Sequence, residues 1–180
     1  MLGKKKKIYI LLSFTGTILS RIIRMYTKDK YCHASLSLDK EFNELYSFGR
    51  LNPYNPFIGG FVKEGINVGT FKRFKNTKCA VYSVEVTNLQ YNRIKKKLKD
   101  FQNNPEKYHF NVIGLFLSAF HIKVERKDYF YCSEFVKYLI EYANIDMKLP
   151  DIVRPIDFHN HKMTLEYSGY LKNYLDSIEE

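Results

Sequence analysis

The sequence predicts an α+β domain in which an antiparallel sheet packs against helices, and three observations carry that prediction. Ala34, Leu36 and Leu38 alternate with His33, Ser35 and Ser37, and after Asp39-Lys40-Glu41 the alternation resumes over 42–48, which is the pattern of a hairpin. Tyr91, Ile94, Leu98 and Phe101 recur at helical spacing, as do Phe135, Val136, Leu139, Ile140 and Ala143. The runs 8–14 and 79–86 are apolar, short and bounded by polar residues, as buried strands are. With 180 residues, 45% of them hydrophobic, and no repeat, low-complexity run or linker, residues 1–180 read as a single domain.

In chain order, a strand at 8–14 leads to a helix at about 16–27, whose apolar stripe is Ile18, Ile22, Ile23 and Met25. The hairpin of 32–38 and 42–48 follows. From Leu51 to Phe61 the chain is rich in Pro, Asn and Gly and reads as a long irregular loop, expected to border the functional cleft because it continues from the hairpin. Short strand pieces are expected in 61–74 and a strong strand at 79–86, with Cys79 an ordinary strand residue. Thr87 and Gln90 have the spacing of a capping box that opens a helix over 88–103, and Asn103-Asn104-Pro105 closes it. Helices at 111–120 and 132–143 complete the body. Pro150 and Pro155 then break the chain before a Tyr-rich tail with a helix expected at 164–177.

Cys132 is the residue with the most chemistry in it. It follows Tyr129-Phe130-Tyr131 directly and precedes Phe135 and Val136 by three and four residues, so it opens a helix on the buried stripe. The free N–H groups and macrodipole of a helix N-terminus favour the thiolate, which is the nucleophile; the blander reading is a small hydrophobe filling a gap. His33 heads a strand on its polar face, where an imidazole can act as base to a thiol from another element. His109 and His121 flank a helix without an evident orienting partner. His159 and His161 lie in a Pro-rich stretch, and their spacing with Cys132 fits no zinc pattern.

Tyr31-Cys32-His33-Ala34-Ser35-Leu36 followed by Phe130-Tyr131-Cys132-Ser133-Glu134-Phe135-Val136 resembles the circularly permuted papain-like thiol enzymes, the NlpC-type superfamily in its YiiX-like and lecithin:retinol acyltransferase-like branches. In that group the histidine strand comes first and the cysteine helix last. Leu45-Tyr46-Ser47-Phe48-Gly49-Arg50, Asn52-Pro53, Gly59-Gly60-Phe61 and Glu64 add to the likeness, which spans roughly residues 8 to 158. The resemblance implies a permuted papain-like fold with Cys132 as nucleophile and His33 as base. It implies acyl transfer through a thioester, on a peptide (including cell-wall peptides), another amide or an acyl lipid, as hydrolase or acyltransferase, with no cofactor.

The imidazole needs an orienting group. If Asp39-Lys40-Glu41 is a three-residue turn, Leu38 pairs with Phe42 and His33 faces Ser47; other loop lengths bring Glu44 or Tyr46 to its face. The three-residue register gathers Phe42, Tyr46 and Phe48 with Ala34, Leu36 and Leu38, so Ser47 is the expected third member.

The net charge of +10 raises the question of an anionic partner. Lys4 to Lys7 and the helix residues Arg93, Lys95, Lys96, Lys97 and Lys99 hold much of it, the latter as a solvated helix face, and no nucleic-acid motif accompanies them. A basic module meeting an anionic polymer or membrane is one alternative function, and a catalytically idle papain-like binding protein is another. Three cysteines, an odd number without framework spacing, favour a reducing, cytoplasmic setting. The basic start before Ile8–Phe14 has the look of a secretory signal, but Arg21 and Arg24 follow and no small-x-small site is evident. Fifteen tyrosines and fourteen phenylalanines without tryptophan suit an aromatic core and cleft.

Overall fold

Residues 5–52, 54–118, 120–124, 126–160 and 163–179 are described by the computed structural model of the chain. Lys4, Pro53 and His161 lie outside the described residues, as do the side chains of Ile18, Ile22 and Ile23. Strand β1 (Lys6–Phe14) leads to helix α1 (Ile18–Thr27), where Thr17 accepts the N–H of Ser20 as cap and Met25 is exposed. Then come β2 (His33–Ser37), β3 (Leu45–Asn52), β4 (Asn55–Glu64), α2 (Gly69–Arg73) and β5 (Lys78–Val86). Helix α3 (Asn88–Asn103) opens on the expected Thr87/Gln90 capping box. The chain continues through β6 (His109–Phe110), α4 (Val112–Ser118), β7 (Tyr129–Phe130), α5 (Cys132–Tyr142), β8 (Thr164–Tyr170) and α6 (Tyr174–Glu179).

Six strands form one sheet in the order β4-β3-β2-β1-β5-β8, every neighbouring pair antiparallel. β6 and β7 form a separate parallel pair. β1 sits between β2 and β5, and its alternation divides the protein's two cores. Ile8, Ile10 and Leu12 join Ala34, Leu36, Tyr46, Phe48, Ala80 and Tyr82 beneath α3 and α5. Leu11 faces the other way and joins Val81, Cys79, Phe71, Phe42 and Tyr174 in a smaller core. The large core is aromatic at its centre: Phe101 lies 5.3 Å from Phe61, 5.2 Å from Phe135 and 4.0 Å from Tyr108 between ring centroids. Such pairs add about 0.5–1.5 kcal/mol each beyond the area they bury.

Three expectations are corrected. Residues 51–61 are no irregular loop, because Asn52 pairs with Asn55 and β3 and β4 run on as a hairpin whose ladder extends to Leu45 and Glu64. Gly59 and Gly60 permit this. A Cβ on Gly59 would lie 2.5 Å from the Phe110 ring, so the glycine is where β6 closes onto the sheet. Among the described residues of 51–61, none lines the cleft described below.

The tail at 164–177 is not one helix. Residues 164–170 pair with β5 as the edge strand β8, since β5 otherwise exposes a row of unpaired backbone groups, and only then does the chain turn into α6. The basic helix is not uniformly solvated either. Lys95, Lys96 and Lys99 are exposed, but Lys97 donates to Asp100 at 2.7 Å and Tyr108 at 3.2 Å and lies over the Phe101 and Tyr138 rings. No helix among the described residues is long and apolar enough to cross a membrane.

Candidate active site

The third strand pairing decides the site. β3 meets β2 with Leu36 opposite Tyr46 and Ser37 opposite Leu45, two residues out of step with a three-residue turn. Asp39 is the cause: its carboxylate accepts the backbone N–H of Asn43 and of Glu44, both at 2.8 Å, and so builds a longer loop. Phe42 adopts a left-handed conformation (φ 62°) and stacks on Tyr174 in the smaller core, 4.7 Å between centroids. A slip of two preserves the faces, so Tyr46 and Phe48 do join Ala34 and Leu36. It moves Ser47 away from His33, however. Ser47 is fully buried and donates to the Ala34 carbonyl at 2.7 Å; it does not orient the imidazole.

Glu64, the last residue of β4, takes that place. Its Oε1 lies 2.9 Å from His33 Nε2, and its other oxygen accepts from Ser35 Oγ. Gly49 lies beside both; a Cβ there would come within ordinary contact, 3.4 Å from His33 Cε1 and 3.7 Å from Glu64 Oε1. One carboxylate bond therefore orients the ring from the sheet side, and the Ser35 bond anchors the carboxylate. Glu64 stands at the end of the Gly59-Gly60-Phe61 segment, but its reach to His33 spans two strands and depends on a register that local pattern does not encode. Glu44 and Tyr46, the other two candidates, make different contacts: Glu44 is held by Asp39, and Tyr46 accepts from Gln102 at 3.0 Å.

Helix α5 begins at Cys132 itself, and the Glu134 carboxylate accepts the Tyr131 N–H, satisfying one of the donors a helix start leaves free. The helix packs on β2 and β3, which carries its first residue to the head of β2. There Cys132 and His33 line the same cleft, close enough for the ring to act on the thiol, and Cys132 Sγ lies 3.9 Å from Ser133 Oγ. Since Nε2 is taken by Glu64, the opposite ring nitrogen is the one left for sulfur.

Charge on this pair is opposed by burial and favoured by the partners. For Cys132, which is 4% exposed, the His33 hydrogen bond and charge outweigh burial and hold the thiol below its ordinary value. For His33, the Glu64 charge and the Cys132 thiolate outweigh burial and raise the imidazole above its ordinary value. The arrangement favours an imidazolium beside a thiolate.

The other two thiols differ. Burial pushes Cys79 up to about 12, and burial followed by the nearby Cys132 pushes Cys32 up to about 12. Cys32 donates to the Ser20 carbonyl at 3.4 Å. Of the remaining histidines, His109 and His121 are exposed, and His159 bonds the Tyr82 hydroxyl; none lines the cleft.

Cys132, His33 and Glu64 share one cleft of about 680 Å³, part of it open to solvent. Phe48, Phe71, Phe110 and Leu115 give it apolar walls, and Ser13, Thr15, Thr17 and Arg50 give it polar ones. Among the described residues no group of three or more His, Cys, Asp or Glu side chains is placed to hold a metal ion. A thiol of lowered pKa, an imidazole and an orienting carboxylate in one cleft can together attack a carbonyl and protonate what leaves. No family model, no curated protein and no solved structure matches the sequence.

Proposed function

We propose that the protein is a cysteine-dependent acyl-transfer enzyme, a hydrolase or acyltransferase acting on an amide or acyl ester, with a permuted papain-like arrangement of its site. The observation that carries this reading is the Cys132–His33–Glu64 array: a buried thiol held below its ordinary pKa by an imidazole that a carboxylate orients. Cys132 sulfur attacks the substrate carbonyl carbon, and the C=O electron pair moves onto oxygen. As that pair returns, the bond to the leaving nitrogen or oxygen breaks and His33 gives its proton to the leaving group. A thioester remains. Water or another acceptor, deprotonated by His33, attacks the thioester and releases the acyl group, restoring thiolate and imidazolium. The backbone N–H of Cys132, first in its helix, is suited to hold the oxyanion.

Glu64 replaces Ser47 in this reading as the positioning residue. A carboxylate favours the charged imidazole and, when the ring is neutral, fixes its tautomer, which a serine hydroxyl does less well. The experiment is intact-mass detection of a covalent acyl adduct after exposure to a panel of ester, thioester and peptide-amide probes. An adduct mapped to Cys132 and lost in Cys132→Ala is expected. A folded protein that acquires no adduct on Cys132 from any of the three probe classes would leave a binding role for the cleft instead.

A further inference from the structure

Arg50 follows Gly49 on β3 and lines the same cleft as Cys132 and His33. It is half-buried, and its one hydrogen bond among the described residues runs from Nη2 to Thr17 Oγ1 at 2.8 Å. A guanidinium has five N–H donors in a planar fork, and a neutral hydroxyl satisfies one of them. No carboxylate of the described residues pairs with it; Glu64, the acid of the cleft, is committed to His33 and Ser35. Taking a cation partly out of water has a cost that a partner anion offsets.

Two further features point the same way. Thr17 is the N-cap of α1, so Arg50 stands at the positive end of a ten-residue helix. Ser13, wholly buried and lining the cleft, has the one side-chain polar atom among the described residues that is both buried and without a hydrogen-bond partner. Ser13 lies directly opposite His33 in the β1–β2 ladder, so its orphan hydroxyl borders the reacting pair. Burial and the nearby Arg73 both disfavour charge on Arg50, which an incoming anion would relieve.

We propose that Arg50, with Ser13 and the start of α1, forms the recognition site for an anionic group, a carboxylate or a phosphate, on the substrate whose carbonyl Cys132 attacks. The inference rests on the acyl-transfer reading for what happens next, but anion recognition itself needs no thiol chemistry. The two are therefore separable by experiment.

The first measurement is thermal unfolding of the full chain with inorganic phosphate, N-acetylglycine or its neutral amide, at constant ionic strength. Phosphate or N-acetylglycine is expected to raise the midpoint by about 3 °C at ten times its Kd, and the amide to do nothing. Arg50→Met should abolish the response and Arg50→Lys retain part of it. Response to phosphate alone or to the carboxylate alone identifies which anion the site takes. The second measurement compares alkylation of Cys132 by iodoacetate and by iodoacetamide. The native protein should favour the anionic reagent about tenfold more than Arg50→Met does, a difference of one decade per 1.4 kcal/mol.

Equal midpoint shifts in native protein and Arg50→Met, or no shift with either anion, would overturn the proposal. If Arg50→Met fails to fold, the contrast between N-acetylglycine and its amide on the native protein decides. A Cys132 inert to both reagents beside an intact, Arg50-dependent anion response would sink acyl transfer and leave Arg50 as the anion site of a binding protein.

Discussion

Cys132 and Cys79 lie on elements of the same sheet-and-helix framework, 4% and 1% exposed, yet their thiols are driven in opposite directions. Cys79 sits on β5 among Leu11, Phe71, Val81 and Tyr174, where burial outweighs the opposing effect of the Gly169 backbone and raises the pKa to about 12. Burial opposes the Cys132 thiolate too, but the His33 imidazole, held charged by Glu64, more than cancels it. Burial therefore does not decide whether a cysteine is inert. The decisive variable is whether a permanent or inducible positive charge shares the buried volume, because charge–charge attraction grows in a low-dielectric site just as the desolvation cost does.

The comparison breaks most readily by direct competition between the thiols. Labelling the native protein with iodoacetamide at pH 6 should modify Cys132 on the order of a thousandfold faster than Cys79, and far faster than Cys32, as read by peptide mass spectrometry. Equal rates would mean that the Cys132 thiolate is not formed. A smaller effect is expected from removing the imidazole. His33→Ala should slow Cys132 labelling at pH 6 by about a hundredfold, the low end of what a positioned base contributes, while Cys79 keeps its rate. An unchanged Cys132 would assign its reactivity to the helix N-terminus alone.

The smallest effect sharpens the role of Glu64. His33 has a folded pKa above its unfolded one, so its pairing with Glu64 contributes fully below the ordinary imidazole value and is lost as pH rises through the raised folded value. Glu64→Gln should therefore cost roughly 2 kcal/mol at pH 6, the worth of a charged hydrogen bond, and progressively less at alkaline pH. Denaturant unfolding of both proteins across pH 6–10 measures this. A cost that grows with pH would reverse the sign and remove Glu64 as the group that holds His33 charged.

Much of this was legible locally. The alternation of Ala34, Leu36 and Leu38, the Thr87/Gln90 capping box, and the apolar stripe behind Cys132 each depend on neighbours within a few residues. The corresponding elements β2, α3 and α5 lie within a residue or two of where those patterns put them. The face-parity argument for the β2–β3 hairpin held for Tyr46 and Phe48, because a two-residue slip leaves paired strand residues on their own faces, but not for Phe42, which turns into the smaller core. What failed was absolute register. Ser47 followed from a three-residue turn, and the Asp39 carboxylate, by accepting the N–H groups of Asn43 and Glu44, lengthened that turn by two residues.

The sequence by itself determined that an alternating strand beginning at His33 and an amphipathic helix beginning at Cys132 exist, since periodicity and capping are short-range properties of the chain. Only the tertiary structure decided that these two ends meet, and that Glu64, thirty-one residues after His33, closes the array across β3. It also converted 51–61 and 164–170 from loop and helix into strands, because an unpaired strand edge leaves donors and acceptors that a neighbouring segment satisfies whatever its own propensity. Which side chains share a buried volume depends on strand register and helix docking. Those are set by the sum of many distant contacts, and no window of sequence contains that sum.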